Sequence, residues 1–153
     1  MKKVVLGLAA SLCVMTAQAA DFIVIDLEKI VSSSTYLKTQ NDGFIAERTK
    51  FEKLENDLMA LQTKIKETKS TTEQDKLKKE FNDKAQQLNE LQQQIALTRQ
   101  NVSKIFESQV KTVAEQLRRE NKADVVLNKN SVLAYDAKYD LTDKMIQKVN
   151  AIK

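Results

Sequence analysis

The sequence predicts an α+β fold, in which a small β-body made from both chain ends carries a long antiparallel two-helix coiled-coil arm. Three observations predict this fold. A short apolar run at residues 22–25 lies between two aspartates, heptad repeats fill the middle of the chain, and a second apolar group at residues 125–135 follows them. Heptads of this kind are typical of packed long helices, whereas the short apolar runs are typical of strands.

The first apolar run raises a question of pairing. Its continuous apolar character is typical of a strand that is buried on both faces. A lone strand would leave its backbone N–H and C=O groups without partners, so a second strand must lie beside it. The candidates are residues 125–127 and 132–135, which flank turn chemistry at residues 128–131 and predict a β-hairpin. The predicted strand core consists of Phe22, Ile23, Val24, Ile25, Val125, Val126, Leu127, Val132 and Leu133.

The middle of the chain predicts two long helices joined by a short turn. Apolar residues recur every seven positions from Leu37 to Ile65, and a second series begins at Leu77. Near Ile105 the apolar positions slip by one residue, which is a stutter in the repeat. We therefore expect an arm over residues 36–121 with its tip near 69–75, followed by a short final helix that Asp140 or Thr142 caps. A compact helical bundle is the alternative, but it would need a third long amphipathic helix.

Two features of the arm are candidates for function. Gly43 is the single glycine of the chain after residue 19, and we expect it to form a flexible joint where the arm leaves the body. A glycine that permits close packing is the alternative. The tip carries six lysines against three acidic residues, which would attract acidic ligands or anionic lipid headgroups. These lysines are Lys64, Lys66, Lys69, Lys76, Lys78 and Lys79.

Residues 1–19 predict a secretory signal that is cleaved after Ala19. Lys2 and Lys3 precede an apolar stretch, and Ala17 and Ala19 form the small-residue pattern of a cleavage site. The remaining chain divides into a body of residues 20–35 and 122–153 and the arm of residues 36–121. The one cysteine, Cys13, lies within the predicted signal.

Composition argues against several classes of function. The chain has no histidine, and the remaining glycine cannot form a glycine-rich phosphate loop. We expect no catalytic residues, no metal site and no cofactor, so the protein is predicted not to be an enzyme. Without Lys2 and Lys3, 23 basic residues face 21 acidic ones, and no basic stripe with interleaved aromatics is present. Nucleic acid is therefore not an expected partner.

The predicted body is small enough to require self-association. Three short strands and small helices are at the margin of independent folding, and neither a disulfide nor a metal compensates. Joining the edge strands of several chains would stabilise such a body. The residues themselves leave the number of subunits open.

Three segments resemble the OmpH-like (Skp) family of periplasmic chaperones. These are IVIDLEKI near the start, ADVVLNKNSVLAY after the second long helix, and YDLTDKMIQKV at the end. The resemblance implies a homotrimer whose strands form a small barrel and whose arms surround a cavity for unfolded outer-membrane β-barrel proteins. It also implies a periplasmic location and action without ATP, whereas transient contact with anionic membrane surfaces is predicted from the basic tip alone. The basic cluster through which the family binds lipopolysaccharide is not matched at residues 85–98.

A structural or adaptor coiled coil is the competing interpretation. Such a spacer would link components of the cell envelope by helix packing, with one fixed partner and a rigid arm. The heptads alone are compatible with either function.

Overall fold

The computed structural model describes residues 21–152 and confirms the α+β fold with an antiparallel helical arm. The elements in chain order are β1 (Phe22–Ile25), α1 (Leu27–Ser33), α2 (Thr35–Glu67), α3 (Thr71–Glu120), β2 (Val125–Asn128) and α4 (Thr142–Ala151). Two short 3₁₀ turns, Lys129–Ser131 and Ala137–Tyr139, lie between β2 and α4. The predicted export signal and Cys13 lie outside the described residues.

The first strand pairs with the second in parallel. Phe22 lies opposite Val125 and Ile25 opposite Asn128. The pairing of residues 22–25 with residues 125–127 is therefore confirmed. The other edge of β1 is covered by the chain just before α4, where the Leu141 amide donates to the Val24 carbonyl at 2.9 Å. Both edges of β1 are therefore covered. Ile23, Val24 and Ile25 are also all buried, so both faces of the strand are covered, as the continuous apolar run predicted.

The predicted β-hairpin is wrong. Residues 132–135 form no strand, and a 3₁₀ turn at Lys129–Ser131 leads the chain away from β2. Leu133 is fully exposed, and Val132 is half-buried. The apolar run of residues 132–135 after a turn predicts a strand, but this segment pairs with no other strand within residues 21–152. Among residues 21–152 the sheet therefore has two strands, and the outer edge of β2 is open.

The core of the body forms where both chain ends meet the last turns of α3. It contains buried residues from β1, α1, α3, the turn before β2, and α4: Ile23, Ile25, Ile30, Val113, Leu117, Ala123, Met145 and Val149. Phe106 and Val110 of α3 pack against this cluster, whereas Ile105 is 48% exposed. The predicted slip of the apolar face at Ile105 is thus confirmed, because it turns the packing face of α3 from α2 toward the body.

A serine joins the first two helices. Ser34 is 1% exposed, and its hydroxyl accepts a hydrogen bond from the Leu37 amide at 3.2 Å, so it caps the start of α2. Asn150 of α4 fixes the same joint from outside. Its side-chain oxygen accepts from the Thr35 amide at 2.9 Å, and its Nδ2 donates to the Ser33 carbonyl at 3.1 Å. The arm therefore leaves the body at an angle set by packing and by the side chains of Ser34 and Asn150.

The end of α3 is a Schellman turn without glycine. The Ala123 amide donates to the Arg118 carbonyl at 2.9 Å, and the Lys122 amide donates to the Arg119 carbonyl at 3.1 Å. Lys122 has a positive φ of 54° at the position where glycine is preferred. This turn aims β2 at β1, so the body accepts local backbone strain in order to form the sheet.

Candidate functional site: the two-helix arm

The arm is a narrow structure that buries little of its own surface. Of the 33 residues of α2, Leu61 alone is buried. Along the α3 segment that faces α2, Val102 is the buried residue, and the other apolar contact positions are half-buried. With a rise of 1.5 Å per residue, α3 is about 75 Å long. Such an arm has no core of its own beyond the contact line between its two helices.

Polar side chains close the tip and fix the register of the arm. The Gln74 amide group donates to the Thr68 carbonyl at 2.6 Å and to the Ile65 carbonyl at 3.4 Å. Ser70 precedes α3 but makes no side-chain capping bond, so the capping box that the sequence favours is not formed. Further along, Lys84 donates to Asp57 at 2.8 Å across the two helices. This hydrogen bond lowers the pKa of Asp57 and raises that of Lys84.

The six predicted tip lysines are all exposed and lie together at the end of the arm. Lys64 and Lys66 belong to the last turn of α2, Lys69 to the connection, and the other three to the first turns of α3. Lys78 lies 4.0 Å from Asp75, which is the longest ion-pair distance found in the described residues. Lysines near the C-terminal end of α2 also interact favourably with the helix dipole, which stabilises the helix. The tip is therefore a basic, fully solvated surface.

Gly43 lies within α2, between the body and the first heptad contacts. A β-carbon at this position would have no atom within 4 Å. The alternative explanation, that a glycine is needed here for close packing, is therefore wrong for the single chain. The role of Gly43 as a flexible joint stays a prediction.

Several large apolar side chains lie off the contact line of the arm. Ile45, Met59, Leu97 and Ile105 are between 48% and 61% exposed. Met59 and Leu97 are two of the residues that the sequence places away from the heptad positions, and Ala96 is exposed as well. Scattered exposed apolar groups are common in proteins. Spread along a thin arm, they nevertheless give it points that can contact apolar chains.

The part of the contact line near the body is polar and loosely packed. Glu47 occupies a heptad position, and its Oε2 atom is buried without a hydrogen-bond partner. On the same stretch a cavity of about 190 Å³ lies between the helices, lined by Phe44, Arg48, Phe51, Gln92, Ile95 and Arg99. Sequence reasoning missed this cavity, although the glutamate and threonine at heptad positions 47 and 98 signal weak packing here.

The predicted strand core lies together in the body but is not uniformly buried. Phe22 stacks on Tyr139 with ring centroids 4.6 Å apart. Val126 and Leu127 are half-buried, and Val125 is 40% exposed. Burial in the sheet thus decreases from β1, which is covered on both faces, to β2, which lies at the open edge. No cluster of acidic, histidine or cysteine side chains within residues 21–152 has the arrangement of a metal site.

Comparisons with known proteins identify the family. The family model described as outer membrane protein (OmpH-like) matches residues 21–149. The chain therefore belongs to the OmpH-like family, and the resemblance seen in the sequence is confirmed. A crystal structure from Caulobacter crescentus CB15, proposed to be an outer membrane chaperone (OmpH-like), has 18% sequence identity and a TM-score of 0.49. The match covers 87% of this chain and 85% of that one.

A search of curated protein sequences found no significant match. Within residues 21–152, every helix is too short or too polar to cross a membrane.

Proposed function

We propose that the protein is an ATP-independent holdase of the periplasm, which binds unfolded outer-membrane β-barrel proteins and prevents their aggregation. The observation that carries this proposal is the arm. It has a single buried residue in α2, exposed apolar side chains along its length and a basic tip. A surface of this kind can hold an apolar chain by many weak contacts while remaining soluble.

The proposal includes a homotrimer, in which the arms of three chains surround a client cavity. The open outer edge of β2 and the fully exposed Leu133 support self-association through the body. An unpaired strand edge with apolar neighbours is a template for pairing with another chain. The number three follows the family resemblance.

Arm flexibility would allow clients of different sizes to be enclosed. Because the arm buries little apolar surface, bending it disrupts few contacts. Methionine is unbranched and adapts to irregular partners, so the exposed Met59 suits varied clients. The basic tip would attract acidic clients or the anionic surface of a membrane.

The test is aggregation of a β-barrel membrane protein diluted from urea, followed by light scattering. Residues 20–153, added at one trimer per client and without ATP, are expected to suppress scattering. A variant with all six tip lysines changed to glutamine should capture acidic clients more slowly at low salt. The difference should vanish at high salt, because the screening length of exposed charges falls to about 3 Å at 1 M salt. Unchanged scattering with the intact protein would contradict the holdase function.

An envelope spacer is the second candidate, favoured by the unbroken α3 of 50 residues. A spacer would crosslink to one fixed partner in intact cells and would leave the scattering of the diluted client unchanged. A holdase would crosslink to many unfolded chains. These two results separate the candidates.

A further inference from the structure

The cavity between α2 and α3 has the size and lining of a site for one aromatic ring. Its volume is about 190 Å³, and Phe44, Phe51 and Ile95 supply its apolar walls. An enclosed apolar cavity of roughly 150 Å³ is enough to bind benzene, and this cavity has a similar volume but is open to solvent on one side. We call this cavity, with its six lining residues, the arm slot.

Two guanidinium groups give the arm slot its charge. Arg99 lies over the Phe44 ring, with its Cζ atom 5.4 Å from the ring centroid. Arg99 forms no ion pair with a carboxylate of residues 21–152, whereas Arg48 bonds Glu52 at 2.8 Å. One guanidinium at the slot is thus unneutralised by the chain, beside an apolar cavity. An aromatic ring entering there would meet both an aromatic wall and a cation, which favour it.

The slot exists because the contact line is interrupted at this level. Glu47 and Thr98 occupy heptad positions beside Phe44 and Ile95, so no large apolar pair draws the helices together. Ile45 extends the apolar surface next to Phe44 and is 57% exposed. A bound chain could therefore lie along α2 with one side chain inserted between the helices.

We infer that the arm slot binds an aromatic side chain of an unfolded client that is followed or preceded by an aspartate or glutamate. The ring enters between Phe44, Phe51 and Ile95, and the neighbouring carboxylate pairs with Arg99. This inference rests on the proposed holdase function and names the kind of segment that the arm recognises. A basic segment would be disfavoured, because it would bring like charge to the unpaired guanidinium of Arg99.

Short peptides test the inference directly. The probe is a twelve-residue serine- and glycine-rich peptide with a central Phe-Asp, compared with Ala-Asp and Phe-Asn versions. Titration of ¹⁵N-labelled protein should shift amide signals near residues 44–51 and 92–99. Both altered peptides should bind about fivefold more weakly, since each loses a contact worth roughly a factor of five. Equal binding of the three peptides, or no binding of any, would overturn the inference.

Matched variants locate the binding. Gln92→Trp should fill the slot and abolish Phe-Asp binding, whereas Gln93→Trp, one residue away and outside the slot, should bind normally. Arg99→Gln should remove the preference for Phe-Asp over Phe-Asn, while Lys50→Gln removes an equal charge on the other flank and should preserve it. Circular dichroism should give all four variants the helical content of the wild type. If the Gln92 and Arg99 variants bind the peptides as the Gln93 and Lys50 variants do, the peptide does not bind in the arm slot.

The two proposals can fail separately. If the intact protein suppresses client aggregation and the Gln92 and Gln93 variants suppress it equally, the holdase function stands and the slot does not. If the peptide preference holds but aggregation of the diluted client is unaffected, the slot stands and the holdase function does not.

Discussion

Asp140 connects three parts of the body through one carboxylate. Its Oδ1 accepts from the amide and hydroxyl of Thr142 at 2.9 and 2.5 Å, and its Oδ2 accepts from the Tyr135 hydroxyl at 3.0 Å. The Thr142 hydroxyl oxygen in turn accepts from the Asp26 amide at 2.9 Å. This network ties the end of β1 to the start of α4. The sequence predicts that Asp140 or Thr142 caps α4, but the capping residue is Leu141, which makes no side-chain capping bond.

Asp140→Ala should lower the free energy of unfolding by about 2 kcal/mol or more at neutral pH, because it removes three hydrogen bonds to a charged group. Burial raises the pKa of Asp140, but hydrogen bonds from Thr142 and Tyr135 hold it below the usual 3.8. Because the pKa is lower in the folded state, the carboxylate stabilises the protein fully at a pH above its usual pKa of 3.8. This contribution is lost as the pH falls through the lower pKa of the folded state. The loss measured by urea unfolding should therefore be smaller at pH 3 than at pH 7.

The matched control is Asp143→Ala, three residues further along, which removes a carboxylate with an 86% exposed side chain that pairs with Lys29 at 2.7 Å. It should have little effect on unfolding at either pH. Equal losses for the two variants would show that the Asp140 network does not hold the body together.

Lys122 occupies a backbone position that favours glycine. Its φ of 54° crowds the β-carbon of any L residue, and glycine relieves this at the end of a helix. Lys122→Gly should therefore raise the free energy of unfolding by about 1 kcal/mol. Urea unfolding at fixed chain concentration measures the change. Asn121→Gly, at the preceding residue with φ of −98°, is the control and should not stabilise the protein. A destabilised Lys122→Gly variant would contradict this assignment.

At the scale of elements, Gly43 tests how the arm moves. A β-carbon there meets no neighbour, so Gly43→Ala adds only helix propensity, about 1 kcal/mol. We expect the variant to narrow the distribution of distances between spin labels on the tip and the body. Ala46→Gly, one turn further along α2 at another exposed position, should broaden it. Unchanged distributions in both variants would place the flexibility elsewhere, for example at the Ser34 joint.

The helices were predictable from the sequence because their signals are local and periodic. The heptads located α2, α3 and the turn between them. The slip at Ile105 was visible in the sequence, but it did not predict that Val113 and Leu117 of α3 belong to the body core. The apolar run at residues 22–25 likewise predicted a strand that is buried on both faces and paired with a second strand.

Long-range and cooperative features were not predictable in this way. The Asn150 clamp on the Ser33–Thr35 joint spans more than a hundred residues and has no local pattern. Residues 132–135 have the composition of a strand but lack a neighbour in the single chain, which composition alone does not reveal. The arm slot arises from two helices that fail to pack closely, so it depends on both sequences at once.

At the scale of the whole molecule, self-association should take place through the body. The two-stranded sheet leaves the edge of β2 open, so we expect the chains to associate through it. Sedimentation equilibrium of residues 20–153 should give about three chain masses at micromolar concentration, the number that the family resemblance implies. Leu133→Asp should lower this mass. Leu133 is fully exposed in the single chain, so its replacement leaves the fold of each chain intact. A charge buried at an interface without a partner costs several kcal/mol.

Leu97→Asp is the control for this change, since Leu97 is an exposed leucine on the arm. It should sediment as the wild type does. A stable monomer with full helical content, or a Leu133→Asp variant with unchanged mass, would contradict assembly through this surface.

The central claim is that the arm holds clients and the body assembles the protein. Residues 48–95 can be excised and the ends closed by a short turn, since Phe44 and Arg99 face each other across the two helices. The core residues of the body, including Val113 and Leu117, all remain. The measurement is light scattering of a urea-diluted β-barrel protein with the intact and the excised forms at equal trimer concentration. The account predicts that the excised form still sediments as the intact oligomer does but no longer suppresses scattering. An excised form that protects the client as well as the intact protein would contradict it.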